Sequence, residues 1–578
     1  MTLRRTLWTV IIVIVVGALA YTAWLVWQVQ SDLRSAESSA SDLKAAWRDG
    51  DKAAQKSAAA DLADDASSAE AHTSGVWWRG MGHLPFVGDD VDAVAAMSSS
   101  LDTISQDAVE PLTEVVAGLD GLVSDGRVDL DKVTSLEQPV SEAHTALVKA
   151  DDDVADLDSE GYVGPLRTRF DRYADLVHGL RSGLGSAEKA VSILPPMAGA
   201  DGPKNYLLLF QNNAEIRATG GMPGSWALLH ADDGKIEMTK QGTAGDFPPT
   251  ATPIIPLTDE EVAVYDKELG IYFQDPGWTD DFPRAAELWQ AHWDQKFPET
   301  PIDGVIALDP VGMSYLLDGT GPVAVEDVTL TRSNAVEQLL NKPYIEDGTA
   351  AQDAFFAKAS KAIFDAATGS LASPTAFAEG LNRAAGEGRL LVSSFDEDVS
   401  AELSGTDIEG AMALDDGKTP HVDVALNDLT GSKMSYYLRY NADVNAMDCR
   451  DGVQKLAGSV SLNQVISPSD AAELPESVTG GGRYGTDPGS QFVMVRIYGP
   501  YGGSIDKVRL DGKSLRDLEV LEINGRPVVS IDVLLSSRND VVLNWDGATG
   551  PGQTGPGEIH MTPSIVPGSD DRTFGSSC

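Results

Sequence analysis

The chain has little positive charge and almost no cysteine. Its 578 residues include 43 Lys or Arg against 88 Asp or Glu, which gives a formal net charge of −45. Affinity for nucleic acids rests on cations that neutralise phosphates, so DNA and RNA are excluded as partners. The two cysteines, Cys449 and Cys578, allow one bridge at most, and they exclude a disulfide-rich scaffold and a cysteine-rich zinc site.

Common catalytic signatures are also missing. The sequence has no G-x-S-x-G elbow, no Walker A loop, no H-E-x-x-H and no C-x-x-C, and its eight histidines are scattered singly. No enzyme class marked by one of these motifs is therefore predicted. A hydrophobic fraction of 42% still supports real cores, and the length suggests about three or four structural units.

The longest uncharged stretch lies at the N-terminus. Residues 6–27 carry no charge, and about 20 apolar residues are enough for a helix to cross a bilayer. Arg4 and Arg5 precede the stretch, which predicts a single-pass signal-anchor in the plasma membrane, with a cytoplasmic N-terminus and an extracellular bulk. Cleavage after Ala20 is the alternative, but the apolar run continues to Trp27 and favours the anchor. In an exported chain a Cys449–Cys578 disulfide is permitted.

The pattern of apolar residues predicts a multidomain α+β protein. Residues 1–30 form the cytoplasmic stub and transmembrane anchor, and residues 31–195, with apolar residues at steps of three and four, form a helical stalk or bundle. Short apolar runs that alternate with helical patterns predict a central α/β sandwich over residues 200–420. Strand patterns predict a β-sandwich over residues 421–560, partly immunoglobulin-like, before a Gly/Ser/Pro tail at residues 561–578.

Several local signals predict individual elements. Residues 206–210 and 304–308 are buried strands, and a helix covers residues 280–295. The Asp233-Gly234 and Asn524-Gly525 pairs each predict a β-hairpin. Residues 435–440 are predicted as a strand.

Residues 75–88 combine Trp77 and Trp78 with four glycines and Pro85. Two interpretations are open for this segment. It is a buried connection next to the stalk, which we favour, or an amphipathic loop that touches lipid headgroups.

A polar segment at residues 211–225 differs from ordinary core and surface. It follows an apolar strand, so we expect its side chains to emerge at a strand end, where open α/β sheets place ligands. Arg217 offers a fork of donors for a phosphate or carboxylate. The alternative is an ion pair of Arg217 with Glu215 or Asp303 that holds a tight turn. The candidate ligand-binding residues are Asn212, Asn213, Glu215, Arg217, Thr219, Gly220, Gly221, Ser225, Asp303 and Asp309.

The same residues carry a resemblance to a known family. The runs YLLLFQNNAEIRATGGMPGSW, PIDGVIALDPVGMSYLLDGTGPVAV and NDLTGSKMSYYLRY resemble the domain-of-unknown-function family numbered four thousand and twelve. Its members are single-pass envelope proteins of Gram-positive bacteria, and the likeness covers roughly residues 75 to 450. Where many relatives carry a Phe-Ile pair, this chain has Met222-Pro223. The resemblance implies no established activity, and it suggests a role in surface polysaccharide assembly.

A weaker similarity in layout is to the LytR–CpsA–Psr transferases, which move lipid-linked glycopolymers onto the cell wall. That resemblance implies that Arg217 grips a pyrophosphate and that Asp303 or Asp309 holds Mg²⁺. The sequence departs from the usual Gly-x-Asp-x-Arg turn, which reads Gln-Asn-Asn-Ala-Glu-Ile-Arg here.

Two functional hypotheses follow. In the first, the protein is a glycopolymer phosphotransferase or a related assembly factor with an anion site at Arg217. In the second, it is a non-catalytic surface protein that binds wall polymer or a partner protein, and Arg217 is a structural ion pair. The sequence alone leaves open whether the chain is an enzyme and which oligomeric state it adopts.

Overall fold

A computed structural model describes residues 2–155, 157–346, 349–536 and 539–578. For residues 2–15, 349, 350 and 353 the description covers the main chain only. The chain divides into two compact units. The first contains the residues up to Leu122 together with Asp129–Pro195, and the second contains Val123–Val128 and Pro196–Cys578. Helices and several β-sheets are both present, which confirms the predicted α+β class.

The first unit is helical. Its helices are α1 (Thr2–Asp49), α2 (Lys52–Thr73), α3 (Val76–Met81), α4 (Gly88–Thr103), α5 (Val109–Gly118), α6 (Leu130–Ala155) and α7 (Gly164–Met197), and a π-helical turn at Ile104–Ala108 joins α4 to α5. The helices α1 and α2 form a hairpin, and the Asp51 carboxylate begins α2 by accepting hydrogen bonds from the amides of Ala53 and Ala54. Small buried side chains such as Ala36, Ala58 and Ala66 let the helices pack closely.

Among the described residues, no helix combines the length and the apolar character that a membrane crossing requires. Residues 6–15 of the predicted anchor lie outside the residues whose side chains the structure describes.

The second unit begins with a mixed sheet of seven described strands in the order β1-β2-β5-β4-β3-β6-β9. The strands are β1 (Val123–Ser124), β2 (Arg127–Val128), β3 (Lys204–Arg217), β4 (Gly220–Asp232), β5 (Lys235–Thr243), β6 (Gly304–Leu308) and β9 (Leu390–Ser394), and the small hairpin of β7 (Val323–Val325) and β8 (Val328–Leu330) stands apart. Only β3 and β6 pair in parallel within this sheet as described.

Helices cover both faces of the seven-stranded sheet. They are α8 (Asp259–Tyr265), α9 (Phe282–Lys296), α10 (Pro310–Thr320), α11 (Ala335–Leu340), α12 (Lys342–Glu346), α13 (Thr349–Ala367), α14 (Pro374–Gly386) and α15 (Glu397–Leu403). Leu207 and Leu209 of β3 pack in one core with Trp289 of α9, while Leu208 packs in another with Phe364 of α13. Because both faces of β3 are covered, its first half is a continuous apolar run instead of an alternating one.

The remaining residues form a β-sandwich. One sheet has the described order β16-β17-β13-β10-β19-β20 and the other β11-β12-β18-β14-β15. The strands are β10 (His421–Asp428), β11 (Leu438–Arg450), β12 (Val453–Gln464), β13 (Gln491–Tyr498), β14 (Ser504–Leu510), β15 (Lys513–Ser514), β16 (Leu521–Ile523), β17 (Arg526–Leu535), β18 (Val541–Ala548), β19 (Gly557–Met561) and β20 (Arg572–Phe574), with short helices α16 (Pro468–Glu473) and α17 (Glu476–Thr479). Val460, Val495 and Trp545 lie in the shared core.

The last residues of the chain are part of this sandwich. Strand β20 pairs with β19, and Phe574 is buried in the sandwich core. Cys578 forms a disulfide with Cys449 of β11, across a sequence separation of 129 residues. The segment that the sequence suggests is a Gly/Ser/Pro tail therefore ends in a paired strand and a covalent closure.

Opening this disulfide is expected to destabilise the protein strongly, because it removes a constraint on a loop of more than 100 residues in the unfolded chain. The pair Cys449→Ser and Cys578→Ser should lower the free energy of unfolding by about 3–5 kcal/mol. Denaturant titration with and without dithiothreitol measures the loss. A reducing agent should destabilise the wild type and leave the double variant unchanged; equal stability of all samples would contradict the expectation.

Candidate functional site

The polar segment is not a loop at a strand end, and here the expectation from the sequence is wrong. Strand β3 runs through it to Arg217, and Ala218 and Thr219 connect it to β4. Within β3, Asn212 pairs with Met222 and Ile216 pairs with Gly221. Residues 213–215 therefore have no partner in β4 and form a three-residue bulge. A bulge changes the directions of the side chains within it. The candidates Asn213 and Glu215 belong to this bulge.

The two glycines of the hairpin are required by close packing. A Cβ atom on Gly221 would lie 2.3 Å from the carbonyl carbon of Asn212, far closer than van der Waals contact allows. Gly220 has a φ of 123°, and a Cβ there would lie 2.9 Å from the Gln211 side-chain oxygen. Gln211 in turn donates a hydrogen bond to the Thr219 hydroxyl at 2.9 Å. These residues close the turn tightly.

Asn212 and Glu215 are joined to residues far along the chain. The Asn212 amide donates to the Tyr344 hydroxyl at 2.8 Å, and its oxygen accepts the amide of Ala214. Glu215 pairs with Lys433 at 2.8 Å, so it is not the partner of Arg217. The Lys433 ammonium also lies 4.5 Å from the centre of the Tyr344 ring, in cation–π contact.

Asn213 forms a hydrogen bond with a fully buried ion pair, Asp309 and Arg389. Its amide donates to Asp309 at 2.8 Å, and Arg389 donates to the same carboxylate oxygen at 3.0 Å. The other oxygen of Asp309 accepts the amide of Gly312 and begins α10. Burial raises the pKa of Asp309, while the charge of Arg389 opposes the rise. A carboxylate so occupied does not fit a Mg²⁺ ligand, and the described residues contain no group of three or more potential metal-ligating side chains.

Arg389 uses all five of its N–H donors, although its side chain is completely buried. Its Nε donates to Glu387 at 2.7 Å, and its terminal nitrogens donate to Asp309 and to the main-chain oxygens of Ser564, Val566 and Gly568. The segment after β19 is thereby tied to the seven-stranded sheet.

Arg217 is buried as well, with 8% of its surface exposed. One terminal nitrogen donates to the main-chain oxygen of Asp428 in β10 at 2.9 Å and to that of Ile216. The nearest carboxylate is Asp275, at 4.0 Å, and burial raises the pKa of Asp275 to about 6 although Arg217 opposes the rise. The guanidinium lies over the ring of Trp278, 5.5 Å from its centre.

The remaining candidates lie apart from Arg217. Asp303 precedes β6, accepts the Asn205 amide at 2.7 Å and faces Lys204 at 3.7 Å. Since Asn205 is the second residue of β3 and Arg217 is its last, Asp303 and Arg217 lie at opposite ends of this strand. Ser225 pairs with Thr243 in the sheet interior. The ten candidates therefore do not form one pocket.

Two further arginines belong to the same arrangement and were not found from the sequence. Arg496 of β13 donates to the main-chain oxygen of Trp278, and its guanidinium lies 5.8 Å from the centre of that ring. Arg526 of β17 pairs with Asp423 and donates to the main-chain oxygen of Ala413. Arg496 lies inside a strand pattern of apolar residues, which is the only signal by which the sequence marks it, and Arg526 directly follows the Asn524-Gly525 turn as the first residue of β17.

Beside Arg526 lies a group of charges in which Asp280 and Asp423 are buried and His560 and Asp571 are partly exposed. Burial raises the pKa of Asp280, and the neighbouring Asp423 raises it further. The Asp571 carboxylate, 3.1 Å from His560, raises the pKa of that imidazole.

A large cleft lies outside all of these contacts. It has a volume of about 830 Å³ and opens between α9, the end of β9 and α15. Its lining has five carboxylates and no Lys, Arg or His, together with serines, Gln290 and Phe395; the acidic residues are Glu287, Asp294, Asp396, Glu397 and Glu409. Two of these carboxylates are paired with cations outside the lining, Glu287 with Arg284 and Asp396 with Lys204. The other three keep the surface acidic, so it repels phosphates and offers acceptors to hydroxyl and amino groups.

Replacing Arg389 by Met should be strongly destabilising, because it leaves Asp309 buried without its cation and three carbonyl groups without donors. We expect Arg389→Met to lower the free energy of unfolding by about 3–5 kcal/mol. Arg450 is the control, because its side chain is 75% exposed and pairs with Asp448 at the surface. Arg450→Met should therefore change stability little. Denaturant titration compares the two; similar losses would contradict a special role for the buried arginine.

The raised pKa of Asp275 predicts a pH dependence. Between about pH 4 and 6 the Asp275 carboxyl keeps its proton in the folded state but has released it in the unfolded chain. The free energy of unfolding of the wild type therefore falls as the pH rises through this window. Asp275→Asn does not titrate. Relative to wild type it should therefore gain up to about 3 kcal/mol in unfolding free energy between pH 4 and 7.

The control for this prediction is Asp546→Asn. Hydrogen bonding to Arg509 lowers the pKa of Asp546 below its usual value, so wild type gains stability from this group as the pH rises towards the unfolded value of about 4, and the contribution is complete above it. The variant should therefore fall behind wild type between about pH 2 and 4 and keep a nearly constant difference from about pH 5 to 7. Denaturant titrations from pH 3 to 7 separate the two trends. A difference for Asp275→Asn that stays constant with pH would refute the assigned shift.

Comparisons with known proteins support one part of the sequence interpretation. Residues 201–344 match the model of the family described as "Protein of unknown function (DUF4012)". No curated protein and no solved structure matches the chain, and none of the comparisons supports the similarity to LytR–CpsA–Psr transferases. The matched segment begins just before β3 and ends in α12, so it contains the bulge, Arg217 and Asp309. The resemblance is confirmed for residues 201–344, which are similar to this family of unknown function, while its wider extent over residues 75 to 450 stays a prediction.

Proposed function

We propose that this chain is a membrane-anchored protein of the cell envelope with an extracellular bulk, and that it takes part in surface glycopolymer assembly by binding polymer, without transferring it. Arg217 carries this proposal. A pyrophosphate grip requires an open guanidinium, and this one is buried, bonded to two main-chain oxygens and stacked on Trp278.

The proposed location has two supports. Residues 6–27 form an uncharged stretch behind Arg4 and Arg5, which is the pattern of an anchor with an internal N-terminus. The Cys449–Cys578 disulfide suits an oxidising compartment outside the cytoplasm, where such bonds persist.

The proposed ligand follows from the acidic cleft. A lipid-linked pyrophosphate or a phosphate-rich wall polymer would meet five carboxylates there and a chain with a net charge of −45. A glycopolymer segment with hydroxyl and amino groups suits the same lining, because carboxylates, Gln290 and serines accept hydrogen bonds from both groups. Phe395 offers an apolar contact for a sugar ring.

Binding to the full-length protein in nanodiscs tests this function. A glucosamine oligosaccharide should bind, and Glu397→Lys should abolish the binding by reversing a charge in the cleft. Glu402→Lys is the matched control, since it reverses an exposed charge on the same helix outside the cleft lining. Isothermal titration calorimetry measures the affinity of each.

The transferase hypothesis predicts a different outcome. A polyprenyl-pyrophosphate sugar with Mg²⁺ would bind to wild type and would be lost in a folded Arg217→Met variant. Native mass spectrometry of the same nanodiscs reads this directly. That result, together with no effect of Glu397→Lys on any ligand, would overturn the binding-protein proposal.

A further inference from the structure

An unusually exposed apolar surface lies on the connection between α2 and α4. Phe86 is 97% exposed and Val76 is 85% exposed, and Trp77, Leu84 and Val87 are exposed beside them. We call these five residues the connection patch. Phe86 also has a φ of 75°, a conformation that costs a bulky residue energy. A monomer in water gains nothing from a strained and exposed aromatic ring, so the patch indicates an interaction surface.

The opposite side of the connection is fixed to α1. Trp78 and Met81 are buried in a core with Leu25 and Val29 of α1. This half of the segment fits the expected buried connection. These contacts place the connection patch beside residues 25–29 of α1.

Contacts of Trp77 place the connection patch beside the end of the uncharged stretch. Its indole N–H donates to the Thr22 hydroxyl at 3.0 Å, and its ring meets that of Tyr21 edge to face, with centroids 5.4 Å apart. Tyr21, Trp24 and Trp27 of α1 are themselves exposed. One continuous surface, rich in Trp and Tyr, thus includes both the connection patch and the last turns of the predicted anchor.

If α1 spans the bilayer, its sequence gives the depth of the connection patch in the membrane. This inference therefore rests on the proposed anchor. Thr22 precedes Trp27, the last residue of the uncharged stretch, by five residues, which is about 7–8 Å along a helix. A side chain bonded to Thr22 then lies at the outer boundary of the hydrocarbon. Trp and Tyr favour that boundary, because they combine an apolar ring with a polar group.

We propose that the connection patch inserts into the outer leaflet of the membrane and forms a second lipid contact beside α1. The patch then contacts lipid at the boundary between the acyl chains and the headgroups. Arg79 lies on the same short helix, where its cation can meet lipid phosphates. Two contacts would fix the direction in which the helical unit leaves the membrane, which a single helix with a flexible exit would not do.

Depth-dependent fluorescence quenching tests the proposal on the full-length protein. Single cysteines introduced as Phe86→Cys, Leu19→Cys and Lys52→Cys would each carry an environment-sensitive probe, in liposomes with and without nitroxide-labelled phospholipid. All three positions are exposed, so the substitutions should leave the melting temperature unchanged. Leu19 reports the anchor, Phe86 reports the connection patch, and Lys52, at the far end of α1 and α2, reports water.

We expect lipid nitroxide to reduce the emission from positions 19 and 86 and to leave position 52 unchanged. Quenching at 19 without quenching at 86 would overturn the connection-patch proposal and leave the anchor in place. That outcome includes the case in which a protein partner covers the patch. Quenching at 86 without quenching at 19 would support the connection patch and overturn the spanning helix. Absence of quenching at both positions would overturn both.

Discussion

Buried arginines that donate to main-chain oxygens hold the two layers of the second unit together. Arg217 and Arg389 extend from the central layer to Asp428 and to Ser564 through Gly568, while Arg496 and Arg526 extend from the sandwich to Trp278 and Ala413. Burying a guanidinium is costly unless its donors are satisfied, and Arg389 shows the complete solution, with five donors on five acceptors. Arginine suits this task because its planar fork reaches several acceptors at once and its charge is not lost.

This arrangement explains why a strongly polar segment lies in the core of the protein. The bulge at residues 213–215 turns Asn213 towards Asp309 and Glu215 towards Lys433, so most of the polar groups that resemble a ligand site are bonded to internal partners. Asn213 Oδ1 and Arg217 Nε are buried and lack a hydrogen-bond partner among the described residues. The binding function proposed above therefore rests on surfaces that these contacts leave open. Two such surfaces stand out in the described residues, the acidic cleft at α9 and α15 and the connection patch beside α1.

Local patterns in the sequence predict a large part of the fold. The apolar runs at β3 and β6, the helix α9 and the hairpins at Asp233-Gly234 and Asn524-Gly525 are found where they are expected, because periodicity and turn chemistry depend on neighbouring residues only. The strand predicted at residues 435–440 begins instead as a 3-10 turn at Met434–Tyr437, and β11 starts at Leu438. The family resemblance also rests on contiguous residues.

The environment of the polar segment could not be predicted in this way. Arg217 meets Asp428, which lies more than 200 residues further along the chain, and Arg389 meets Ser564 at a similar separation. No local pattern indicates such partners. The sequence also suggests that Asp303 and Arg217 come together, but the length of β3 separates them, because Asp303 lies beside the first residues of that strand.

The central claim is that the α/β layer and the β-sandwich are joined into one cooperative body by these arginines. Native-state hydrogen exchange on the full-length protein tests it most directly, through the opening free energies of amides in β3 and in β13. The account predicts the same opening free energy for both strands in wild type, with a common decrease in Arg389→Met. Exchange of the β13 amides at a free energy clearly different from that of β3 in wild type would contradict it.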